Sequence, residues 1–109
     1  MTQNFTPPDD RDTETFGAFY DACVEIIHRL DANHYSTTDT VVFCHPATFH
    51  EVRYQTRHVT MAGGISGFLD VRIRQSKEIP EDIVMGTPQG TLGYQPGSVI
   101  IEHLDDHRD

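Results

Sequence analysis

At 109 residues the chain is long enough for one domain around one core, and 17 acidic against 8 basic residues leave a formal net charge of −9. That balance argues against direct nucleic-acid binding, which needs a basic face, and against docking on an anionic membrane. No apolar run approaches the roughly 20 residues of a bilayer span. The start of the chain has neither the basic nor the apolar region of a secretory signal, and two cysteines are too few for a disulfide framework.

The kind of charge matters as well as its sum. The acids are eleven Asp and six Glu, and Lys77 is the only lysine beside seven arginines. Short, strongly hydrated carboxylates hold water at a surface when salt competes for it. At molar salt the Debye length shrinks to about 3 Å, so these like charges hardly repel one another. The composition points to a salt-adapted, archaeal-type protein. A GC-rich genome would explain the lysine deficit by codon choice, but it explains the aspartate excess less well.

Residues 1–12 are polar, contain Pro7-Pro8-Asp9-Asp10, and read as a flexible arm. Thr13 or Thr15 can cap a helix whose first turn holds Glu14. From there Phe16, Phe19, Tyr20, Cys23, Ile26, Ile27 and Leu30 recur at steps of three and four, predicting an amphipathic helix over 15–32. A polar loop over 33–39 follows. Thr40-Val41-Val42-Phe43-Cys44 is short, continuous and β-branched, and reads as a buried strand covered on both faces. His45-Pro46 ends it and starts a helix to about residue 54, with Phe49 and Val52 turned inward.

Met61-Ala62-Gly63-Gly64 is a turn. Leu69, Val71 and Ile73 then alternate with Asp70, Arg72 and Arg74, the pattern of a half-buried strand. Ile79-Pro80-Glu81-Asp82 turns the chain into a strand over 83–86, and Thr87-Pro88-Gln89-Gly90 turns it again. A short edge piece over 92–94 and a last strand over 98–102 follow, and the acidic tail over 103–109 reads as solvated. The fold class expected is α+β: a two-layer domain over 13–102 with a mixed four- to five-stranded sheet and two helices packed on it.

Chemistry is sparse. Cys44, His45, His50 and His58 lack the paired spacing of a structural zinc site, and adjacent Cys44 and His45 point to opposite sides of a strand end. His45 and His50 remain the weak metal candidates. Cys23 and Cys44 sit within apolar patterns and read as buried free thiols, and Gly63, Gly64 and Gly67 do not form a phosphate loop. No cofactor and no catalytic residue is expected. Arg72 and Arg74, opposite Asp70, are the candidate interface residues: two arginines on one strand face of an acidic protein suit a contact with another acidic copy.

One resemblance is carried by the order of elements. Thr40-Val41-Val42-Phe43-Cys44-His45-Pro46 leads into a helix with Phe49, Val52 and Arg53. Gly64-Ile65-Ser66-Gly67-Phe68-Leu69-Asp70-Val71-Arg72 and Ser76-Lys77-Glu78-Ile79-Pro80-Glu81-Asp82-Ile83-Val84-Met85-Gly86 follow. This resembles the central, axial-domain-like part of tailed-virus major capsid proteins, the Hong Kong-phage-type fold shared with encapsulins. A full capsid subunit is longer, with an extended loop and a spine helix, so the resemblance implies a shortened version. It implies a structural virion protein, capsid-type or accessory, whose partners are copies of itself or other virion proteins, with no catalytic residues. The alternative is a small non-catalytic binding or regulatory module of a halophile's cytoplasm. A small enzyme using Cys44, His45 or His50 is the third reading.

Overall fold

The computed structural model describes residues 14–57, 71–88 and 96–108. Helix α1 spans Glu14–Ala32, and its buried residues Ala18, Phe19, Ala22, Cys23, Ile26 and Leu30 fall on one stripe, as the 3.6-residue period requires. Thr15 lies inside this helix, so it is not the cap; Thr13 lies outside the described residues. The other end closes by hydrogen bonds that the sequence did not announce. Tyr35 N–H donates to the Leu30 carbonyl at 3.0 Å, and His34 N–H to the Asp31 carbonyl at 2.9 Å. This pair is a Schellman motif, and His34 takes the left-handed position (φ 70°) more often given to glycine. Tyr35 then packs against the core.

Among the described residues four strands form one mixed sheet: β1 (Val41–Cys44), β2 (Arg72–Gln75), β3 (Ile83–Thr87) and β4 (Ile100–His103), in the order β2-β1-β3-β4. β1 and β2 are parallel, while β1/β3 and β3/β4 are antiparallel. A parallel pair needs a crossover, and helix α2 (Pro46–Gln55) lies in that connection. Its start matches the sequence reading. Pro46 occupies the first turn, where no donor is needed, and the His45 Nδ1 accepts from Ala47 N–H at 2.9 Å. Val52 is buried and Phe49 packs beside the core, as expected. The fold is therefore α+β, two helices on a four-stranded sheet. The strand expected from the alternation over 69–74 is described only from residue 71. Most of the turn after β3 and the edge piece over 92–94 lie outside the described residues.

Both helices share one core with the sheet's inner face. Across that face run two rows, Ile73–Val42–Gly86–Ile100 and Gln75–Cys44–Val84–Glu102. Gly86 is fixed by close approach, because a Cβ there would collide with Cγ2 of Ile26 on α1. The helix can lie this near the middle of the sheet only over a residue without a side chain.

Two expectations are corrected. Among the described residues β1 is not enclosed equally on both faces: Val42 and Cys44 are fully buried, whereas Val41 and Phe43 on the other face are partly buried. The helices supply a single layer, so only alternate residues meet it. The tail is not simply solvated either. His103 completes β4, and Leu104–His107 form a 3-10 helix packed on α1 with Leu104 fully buried. One leucine among acids was enough to draw the segment inward, because burying its side chain is worth about 1.5–3 kcal/mol.

Candidate interaction face

The outer face of the sheet lies on the side away from both helices. Strand register places Arg74, Phe43, Met85 and Ile101 side by side in one row across all four strands, with Arg72, Val41 and Thr87 in the next. Ile83 pairs with His103 at the far end. Phe43 and Met85 are half-buried and Ile101 is 48% exposed, a large apolar side chain at the β4 edge. The sequence reading found Arg74 of this row and Arg72 of the next but not the apolar members, because neighbours on different strands are distant in the chain.

Arg72 and Arg74 project from the β2 edge and are exposed. Asp70, named with them from the sequence, lies outside the described residues. Neither arginine has an ion pair or ring contact among the described residues, and the other arginines described there differ. Arg53 lies over the Phe49 ring and Arg57 over the Tyr54 ring, at 5.8 and 3.9 Å from their centroids. Arg108 Nη1 donates to Asp105 Oδ1 at 2.6 Å.

The fullest charge network lies at the opposite edge. Arg29 Nη1 donates to Glu102 Oε2 at 2.7 Å, and His107 Nε2 sits 2.8 Å from Glu102 Oε1. Glu102 belongs to the inner face of β4, so it meets α1 and the 3-10 helix together. Burial pushes its carboxyl up, but hydrogen bonds from His107 and Arg29, with their charges, outweigh that and hold it below the ordinary carboxylate value. His103 Nδ1 lies 3.3 Å from Asp82 Oδ2, and the Asp105 N–H donates to Asp82 Oδ1 at 3.0 Å.

A cavity of about 300 Å³ opens between the start of α1, the first turns of α2, the β2–β3 turn and the 3-10 helix. Its walls include Thr48, the carboxylates of Glu51, Glu81, Asp82 and Asp105, and Arg108. Thr48 Oγ1 donates to the Glu81 carbonyl at 3.0 Å, and Asp82 and Asp105 are occupied in the contacts above, so these groups brace the turn. Among the described residues no group of three or more His, Cys, Asp and Glu side chains is placed to hold a metal ion. His45 spends Nδ1 on its cap and His50 is exposed on α2, so the two weak metal candidates are not brought together with Cys44. Cys44 faces the core beside Cys23; both are free thiols, and burial pushes Cys44 up to about 11 and Cys23 further still. At neutral pH they are protonated and poor nucleophiles.

No described helix is long and apolar enough to cross a membrane. Compared with protein-family models, with curated proteins and with solved structures, the chain matches none.

Proposed function

We propose that this chain is a non-catalytic structural module acting by self-association, a capsid-type or accessory virion component from a salt-adapted host. The observation that carries self-association is the cross-strand row Arg74–Phe43–Met85–Ile101 on a sheet face away from both helices. A sheet that packs one face on helices normally turns polar residues outward. Here the outward positions of β1 and β3 are Val41, Phe43, Ile83, Met85 and Thr87, all but the last apolar. The virion setting is supported by the order of motifs along the chain, and the salt-adapted setting by the net charge of −9 carried mainly by aspartate.

Sedimentation velocity at rising protein concentration in about 2 M potassium chloride, where charge repulsion is screened, tests the reading. Rings or shells are expected of a capsid-type module, and a discrete small oligomer instead favours the cytoplasmic binding module. A monomer throughout the range overturns self-association.

A further inference from the structure

The backbone at the two sheet edges is finished differently. Leu104 N–H donates to the Asp82 carbonyl at 2.7 Å, so along β4 the alternate residues Ile101 and His103 turn their backbone groups away from β3. There the Arg29 guanidinium donates to the Ile101 carbonyl at 3.3 Å. At β2, Arg72 N–H donates to the Thr40 carbonyl at 2.8 Å and Ser76 N–H to the Cys44 carbonyl at 2.9 Å. Residues 72, 74 and 76 thus face β1, and Ile73 and Gln75 direct their N–H and C=O groups to the open side. Among the described residues no strand lies beyond that edge. Its side chains sort by face: Arg72 and Arg74 are exposed on the outer one, and Ile73 packs on the core from the inner one but is only partly buried.

We propose that the β2 edge takes up an extended segment of another protein as a fifth strand, one in which acidic residues alternate with apolar ones. The backbone of that segment pairs with Ile73 and Gln75. Its carboxylates stand beside Arg72 and Arg74 on the outer face, and its apolar residues complete the cover of Ile73 on the helix side. Charge selects this occupant. Arginines on an edge repel a like edge, so β2 of a second copy is disfavoured, and they complement a strand that carries carboxylates at every second position. The 109 residues contain no acid–apolar–acid triplet, so a second copy does not supply the segment either. The inference is independent of the self-association reading, which concerns the outer face of the sheet and not its edge.

Fluorescence anisotropy with a fluorescein-labelled nonapeptide alternating Glu and Val tests the proposal, in about 0.1 M and about 2 M potassium chloride. Binding is expected at both, weaker at high salt, where the charge contribution is screened and the backbone pairing remains. The same peptide N-methylated at every amide should not bind, and one alternating Lys and Val should bind about tenfold more weakly at low salt. Gln75→Pro removes an outward donor without touching the bonds to β1, and should weaken binding about fivefold at both salts. Arg72→Glu/Arg74→Glu should reverse the preference and favour the Lys/Val peptide. No binding up to about 1 mM peptide at low salt overturns the proposal. Equal binding by the N-methylated peptide, or by Gln75→Pro, places the peptide away from this edge and overturns it as well. If the unmodified chain sediments as an oligomer that Gln75→Pro dissolves, the edge belongs to a second copy; that overturns this partner while self-association stands.

Discussion

The β4 edge and the β2 edge of one small sheet are built on different principles. At β4, Leu104 is sealed against α1, and Glu102 is held by Arg29 and His107. Strand, helix and chain end are tied into one unit, with charges satisfied internally. At β2, Arg72 and Arg74 point outward with no acidic partner among the described residues. Only Val71 and Ile73 turn toward the core. Charged residues at one edge are therefore spent on stability, while those at the other remain available to a neighbour. The same residue type does different work depending on whether a second element lies within reach of its side chain.

Substitutions can break this contrast. The largest effect is expected from Leu104→Ala, which empties a fully buried site and should cost about 2–4 kcal/mol in urea unfolding. A loss under about 0.5 kcal/mol would restore the solvated-tail reading. Gly86→Ala should follow at about 1–3 kcal/mol, because the new methyl meets Ile26 and α1 must shift.

Glu102→Gln should cost about 1–2 kcal/mol near neutral pH, since a charged acceptor of two hydrogen bonds is lost. Its pH dependence sharpens the assignment. The folded-state pKa of Glu102 lies below the ordinary value of 4.5, so its contribution is fully present above that value. The contribution fades as pH falls below it, through the folded pKa. The gap in stability between the native chain and Glu102→Gln should therefore narrow as pH is lowered from about 6 to about 3. A gap that stays constant over that range would mean Glu102 is not held as a carboxylate by its partners.

The smallest effect belongs to the other edge. Arg72→Ala and Arg74→Ala should each change monomer stability by less than about 0.5 kcal/mol, while weakening association at low salt. A loss above about 1 kcal/mol in either would show that the arginine serves the fold. In the native chain the thermal midpoint should rise between about 0.1 and 2 M chloride, as repulsion among excess carboxylates is screened. A flat or falling midpoint would count against the salt-adapted reading.

Much of this architecture is local and could be read directly. The stripe from Phe19 to Leu30, the His45-Pro46 start of α2 and the alternation of Val71, Arg72, Ile73 and Arg74 are short-range patterns set by helix and strand periods. They determined the element types, the fold class and the outward direction of the two arginines. Which face of β1 meets the helices, which residues align across the sheet and where the segment after β4 docks were decided only by tertiary structure. Phe43, Met85 and Ile101 become neighbours through strand register, and Leu104 finds α1 only after β4 is in place. Pairing and burial between distant segments depend on which surfaces remain uncovered once the helices have packed, and no local period of the chain encodes that.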